Sequence, residues 1–127
     1  MEKRNLIIYW IATGLMSFGM LGGGIAQVFR TKDMVDMVLH LGYPPYLLSI
    51  IGTWKILGVI AILIPRFKLA KEWAYAGLFF TMTGALVSHL ACGDSGKGII
   101  GPFMQIVFIV LSWYFRPADR KIISGNQ

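Results

Sequence analysis

The sequence predicts an all-α fold: a four-helix transmembrane bundle, with a short amphipathic surface helix between the first and second membrane helices. Two observations support this prediction. Of the 127 residues, 56% are hydrophobic and 14% are charged, whereas a soluble domain carries about 25% charged residues. The apolar residues also form four long runs joined by short polar segments. We therefore predict one membrane domain over residues 1–127.

Each membrane helix has its own sequence support. The first is predicted at Leu6–Val28, because its apolar region is too long for a secretory signal peptide. The second is predicted at Tyr46–Ile64, whose length of roughly 28 Å matches the hydrocarbon core. The third is predicted at Trp73–Leu90, after a short basic connection. The fourth is predicted at Pro102–Phe115, because proline suits the first turn of a helix.

The polar segments predict a surface helix and an orientation. Arg30–Pro45 mixes charged and apolar residues, as is typical of an amphipathic helix lying on a membrane. Loops rich in Lys and Arg stay in the cytoplasm. Eight basic residues fall on the side of the termini and three on the other: Lys3, Arg4, Arg66, Lys68, Lys71, Arg116, Arg120 and Lys121, against Arg30, Lys32 and Lys97. Both termini are therefore predicted to be cytoplasmic.

Lys55 is the polar centre of the second membrane helix. An ionisable group near the middle of a membrane helix is costly, so it usually faces the protein interior and marks a pathway or a pocket. Gly52 and Gly58 lie three residues to either side and favour close packing of another helix on that face. Three interpretations stay open: a ligand or proton site, a structural ion pair, or a lysine that snorkels to the interface.

The other three membrane helices each place a polar group in the outer half that Lys55 leans toward. These groups are Gln27, His89 and Gln105, and Asp94 follows His89 in a glycine-rich loop. We predict a ligand site formed by all five residues. The alternatives are interhelical hydrogen bonds for the glutamines and the histidine, and a turn role for Asp94. Asp94 could pair with Lys55 or orient the imidazole of His89.

Other chemistries have little support. Cys92 is the single cysteine, so a C-x-x-C pair and an intramolecular disulfide are excluded. No metal is predicted, because His40 and His89 lack metal-ligand spacing on one helix. Ser88 and His89 are adjacent on a helix and do not face each other, which argues against nucleophilic catalysis. The basic residues lie at helix ends, so no nucleic-acid partner is predicted. Catalytic residues stay unassigned.

Four stretches carry a resemblance to a known family: H-L-G-Y-P-P-Y from His40, K-I-L-G from Lys55, K-E-W-A-Y-A-G from Lys71 and S-H-L-A-C-G-D from Ser88. The chain resembles the DoxX-like family of small bacterial membrane proteins. This resemblance implies a four-helix bundle in the bacterial inner membrane. The wider DoxX group includes subunits of a thiosulfate:quinone oxidoreductase and partners in oxidative-stress complexes, which implies a membrane redox partner. It implies no catalytic residue in this chain.

These observations predict an accessory or small-molecule-binding bundle with an outward-facing polar pocket, and an enzyme only as part of a quinone-coupled complex. No intrinsic cofactor is predicted. The predicted ligand is a small lipophilic or anionic molecule. A quinone is one candidate, because its carbonyls could accept hydrogen bonds from Lys55 and His89 while apolar walls hold its ring and tail. The alternatives are a proton-coupled carrier using Lys55, or a structural scaffold. The partners predicted are the lipid bilayer and a second copy of the chain, packed through stripes of small residues.

Overall fold

The computed structural model is helical throughout the residues it describes, which are 3–94, 96–117 and 120. Within these residues it has no strand and five helices: α1 (Lys3–Val28), α2 (Lys32–His40), α3 (Tyr46–Leu63), α4 (Lys68–Ala91) and α5 (Lys97–Tyr114). The prediction of an all-α fold is confirmed, and so is a short helix between the first two apolar helices. In α2, Val38 is buried and Asp33 and Asp36 are exposed, as an amphipathic helix requires.

Three helices begin earlier than the sequence predicted, and the first of them, α1, begins at Lys3 rather than at Leu6. α4 begins at Lys68 rather than at Trp73, because the chain reverses in a tight turn just before it. Arg66 and Phe67 form this turn with left-handed backbone angles, φ 69° and 55°. α5 begins at Lys97, so Pro102 lies inside the helix and not in its first turn.

The four longer helices pack side by side in a ring. α1 contacts α3 and α5, and α4 contacts the same two helices. The shared core is apolar and includes Met16, Met20, Val59, Ile62, Tyr75, Leu78 and Ile109. Large apolar side chains such as Phe18, Trp54 and Trp73 are exposed on the outside of the ring. α1, α3 and α4 are long and apolar enough to cross a membrane, and α5 is a shorter apolar helix. A ring with this apolar exterior is suited to lipid.

α1 and α3 approach closely where two glycines meet. A Cβ atom added to Gly52 would lie 2.7 Å from the carbonyl oxygen of Gly24 and 3.0 Å from the Cβ of Gln27. Small residues allow two helix backbones to come this close. The contact sets the level of Lys55, which lies three residues after Gly52 and packs against Gly24.

The two ends of the ring differ in what they carry. We call the end that holds α2 the α2 end, and the opposite end, with residues 3–10, 113–117 and 120, the terminus end. α3 ends at the terminus end, where the side chains of Lys71 and Arg120 donate hydrogen bonds to its last carbonyl oxygens. Lys71 Nζ donates to the carbonyl oxygens of Ala61 (2.6 Å) and Ile64, and Arg120 donates to those of residues 62–63 (2.8 and 3.2 Å).

Candidate functional site

Lys55 is buried on the face of α3 that contacts α1. The residue is 8% exposed, and its Nζ lies 3.7 Å from the position that a Cβ would take at Gly23. The ammonium has no hydrogen-bond or ion-pair partner among the described residues. Burying an ionised group without a partner costs several kcal/mol or more. The charged form of Lys55 is therefore costly at this position in the absence of a ligand.

A cavity of about 300 Å³ lies beside this ammonium, between α1, α2, α3 and α4. We call it the Lys55 cavity. Most of its lining is apolar, and its polar lining residues are Gln27, Tyr43, Lys55, Thr81, Ser88 and His89. Apolar walls with a few polar groups are typical of sites for small ligands.

The two predicted glutamines have different positions. Gln27 is 7% exposed and lines the Lys55 cavity, and its Oε1 has no hydrogen-bond partner among the described residues. Gln105 packs against Gly19 of α1, and its Oε1 is likewise unpartnered in that part of the chain. Gln105 is not among the residues that line the cavity. The structure therefore brings Gln27 to Lys55 and places Gln105 one helical turn away along α1.

At the α2 end, one carboxylate joins two imidazoles. Asp94 Oδ1 lies 2.8 Å from Nε2 of His40, and Asp94 Oδ2 lies 2.8 Å from Nδ1 of His89. The side chain of His40 is 54% exposed and that of His89 is 8% exposed. The cluster therefore runs from the surface of the protein to the wall of the Lys55 cavity. We call it the His40–Asp94–His89 cluster.

The backbone around this cluster fixes its geometry. The Asp94 amide donates to the carbonyl oxygen of His89 (2.9 Å), and Gly98 packs against the imidazole, where a Cβ would lie 3.1 Å from Nδ1. The hydroxyls of Tyr43 and Ser88 are 2.7 Å apart and tie the α2 segment to α4. Hydrogen bonds from His89, and then from His40, hold the pKa of Asp94 below its ordinary value. Asp94 thus contacts the imidazole of His89 and not Lys55 among the described residues, and its role in a ligand site stays a prediction.

A groove on the outside of the ring meets the cavity at Lys55. This α3–α4 groove has a volume of about 350 Å³ and shares Ile51, Lys55 and Thr81 with the Lys55 cavity. The rest of its lining is apolar or small, including Trp54, Gly58, Ala61, Ala70, Trp73 and Gly77. Lys55 therefore borders both the cavity and the groove on the outside of the ring.

A family comparison agrees with this architecture. A model of the DoxX-like family matches residues 11–115. The chain belongs to the DoxX-like family. No curated protein and no solved structure gives a match to it. Family membership and the apolar helices together support a membrane protein.

Sequence reasoning did not foresee every polar contact of this DoxX-like chain. It did not include His40 in the predicted ligand site, and the His40–Asp94 pair joins residues 54 positions apart. It also assigned Lys71 to a connection, whereas Lys71 is helical and 1% exposed. No group of three His, Cys, Asp or Glu side chains suited to a metal ion occurs within the described ranges.

Proposed function

We propose that this DoxX-like protein is an accessory protein of the bacterial inner membrane that binds a small amphiphilic molecule in the Lys55 cavity. In this proposal α1, α3, α4 and α5 all cross the membrane, with both termini in the cytoplasm. The α2 end then faces outward. The observation that carries the proposal is the buried ammonium of Lys55, which has no partner among the described residues and lies beside a cavity.

The lining of the cavity defines the chemistry of the ligand. An ammonium only donates hydrogen bonds, so the ligand needs an oxygen acceptor at Lys55. The walls are mostly apolar, so the rest of the head group is a ring or a hydrocarbon. The α3–α4 groove leads to the outer face of the ring, which gives a hydrocarbon tail a path from the lipid. A quinone has these three features. Its reduction would require a membrane redox partner that supplies electrons.

The test compares quinone binding by wild type and Lys55→Met, each as the full chain in lipid nanodiscs. A short-tailed ubiquinone is titrated while tryptophan fluorescence is followed, because Trp54 lines the adjoining groove. We expect Lys55→Met to weaken binding by about tenfold or more, since hydrogen bonds to charged groups are worth roughly 1.5–3 kcal/mol. Lys32→Met, on the exposed surface of α2, is the matched control and should bind like wild type.

Two results would reject this proposal. The first is equal affinity of wild type and a folded Lys55→Met variant. The second comes from purifying both proteins in mild detergent and identifying the co-purifying small molecules by mass spectrometry. The proposal is rejected if no small molecule is enriched on wild type relative to Lys55→Met.

A proton-coupled carrier is the second candidate, and the His40–Asp94–His89 cluster favours it. The cluster links an exposed imidazole to one that lines the cavity holding Lys55. Histidine is the side chain best suited to exchange protons near neutral pH. A carrier would move protons across proteoliposome membranes, and Lys55→Met would abolish that movement. Binding without proton movement would favour the accessory role.

A further inference from the structure

His89 offers a second polar contact in the Lys55 cavity. Lys55 donates a hydrogen bond there, whereas His89 can accept one. A carboxylate only accepts hydrogen bonds, so Asp94 requires Nδ1 of His89 to be the N–H donor in their 2.8 Å contact. In a neutral imidazole the other nitrogen, Nε2, is then an acceptor. His89 lines the cavity, and its Nε2 has no partner among the described residues.

We propose that the head group of the ligand carries an acidic hydroxyl, of the phenol or enol class, and that Nε2 of His89 accepts its proton. This inference rests on the proposed function, because it requires a ligand in the Lys55 cavity. An oxidised quinone lacks a hydroxyl, so within the quinone class the inference applies to the reduced form, the quinol, which is a phenol. The ligand's O–H bond breaks, its oxygen keeps the electron pair, and a new N–H bond forms at Nε2. The product is an imidazolium paired with a ligand oxyanion, and the total charge is unchanged.

Asp94 and His40 act as positioning residues for this step. The carboxylate of Asp94 holds Nδ1–H of His89 and stabilises the imidazolium, because a hydrogen bond between two charged groups is stronger than a neutral one. His40 holds the other carboxylate oxygen and is exposed. Three further titratable groups lie near His89: Tyr43, bonded to Ser88; Cys92, whose Sγ donates to the His40 carbonyl; and Lys55, across the cavity.

The two contacts together define the polar groups of the head group. Lys55 donates a hydrogen bond and Nε2 of His89 accepts one, and both residues line the same cavity. The head group therefore carries an acceptor oxygen for Lys55 and a hydroxyl for His89.

The test uses 2-alkyl-4-nitrophenol and its methyl ether, 2-alkyl-4-nitroanisole, with the full chain in lipid nanodiscs below the pKa of the free phenol. The nitro group supplies the acceptor for Lys55, and the phenolate is yellow, so absorbance reports proton transfer directly. We expect the bound phenol to be ionised on wild type and to bind about tenfold more tightly than the ether. His89→Gln should remove the yellow band and most of that preference.

The ether lacks the proton and serves as the control for folding and for the cavity itself. It should bind equally to wild type, His89→Gln and Asp94→Asn, while Asp94→Asn lowers the ionised fraction of the phenol. If both probes bind but the phenol stays neutral, or if the yellow band persists in His89→Gln, this inference is wrong and the proposed function stands. If neither probe binds wild type, this inference fails, and the ubiquinone titration decides the proposed function separately.

Discussion

Lys55 and Lys71 are both buried on neighbouring helices, yet their ammonium groups have opposite surroundings. Lys71 is 1% exposed and donates to two carbonyl oxygens at the end of α3. Lys55 is 8% exposed and has no partner among the described residues. The helix end compensates the desolvation of Lys71, whereas nothing described in the chain compensates that of Lys55. A buried lysine is therefore a sign of a ligand site only when its donors are unused.

The same contrast separates the two halves of the ring. Toward the terminus end, Ser112 lies 2.6 Å from the hydroxyl of Thr13 and 2.8 Å from that of Tyr75, so α1, α5 and α4 share a closed hydrogen-bond network. Toward the α2 end, Lys55 and the Oε1 of Gln27 border a cavity without partners in the described chain. We therefore expect the half toward the terminus end to contribute mainly to stability and the half toward the α2 end to contribute mainly to binding.

The largest effect is expected from exchanging the two lysines separately for methionine. Lys71→Met removes a donor from part-buried carbonyls at the end of α3 and should lower the free energy of unfolding by about 3 kcal/mol. Lys55→Met removes an unpaired charge and should leave the free energy of unfolding unchanged or raise it. Reversible unfolding in mixed micelles measures both. Equal destabilisation by the two substitutions would remove the contrast between the lysines.

The second prediction concerns the close contact that sets the level of Lys55. Gly52→Ala would place a methyl group 2.7 Å from the carbonyl oxygen of Gly24, so α1 and α3 must separate. We expect a loss of about 2 kcal/mol of stability, as for an overpacked core, together with weaker quinone binding. Gly22→Ala is the matched control, because an added Cβ there meets nothing within 4 Å. Equal stability of the two variants would contradict a tight contact.

The sequence was sufficient for features that depend on local composition. Long apolar runs specify helices, so the helices were predictable. A charged side chain within such a run is best accommodated in the protein interior, so the burial of Lys55 was predictable too. The contact between His40 and Asp94 depends on how α2 folds back over the end of α4, and no local spacing encodes it. Lys71 was misassigned because charged residues usually mark a connection, whereas this one caps the preceding helix.

Gln105 illustrates a second limit. Its level along α5 could be estimated from the sequence, and on that basis it was grouped with Lys55. The rotation of a helix about its own axis is set by packing, and here packing directs Gln105 onto Gly19, away from the cavity lining. Level alone therefore does not determine which side chains share a cavity. A ligand role for Gln105 stays a prediction.

A smaller effect is expected from opening the network near the terminus end. Ser112→Ala removes the hydroxyl that joins Thr13 to Tyr75 and should cost about 1 kcal/mol, the scale of interhelical hydrogen bonds in membranes. Quinone binding should be unchanged, because Ser112 lies outside the lining of the Lys55 cavity. Unfolding in micelles and the fluorescence titration measure the two quantities. A loss of binding at unchanged stability would reverse the proposed division between the halves.

The smallest effect is expected from the exposed side of the α2 end, as a dependence of stability on pH. Because hydrogen bonds from His89 and His40 lower the pKa of Asp94, the unfolded chain takes up this proton at a higher pH than the folded protein. The contribution of Asp94 is therefore complete above its ordinary pKa of 3.8 and is lost as the pH falls through the lower folded value. Below pH 3.8, unfolding midpoints should decline more steeply with falling pH for wild type than for Asp94→Asn. All other carboxylates are common to both proteins. Parallel curves would therefore show that the Asp94 carboxylate adds no stability through its contacts with the two imidazoles.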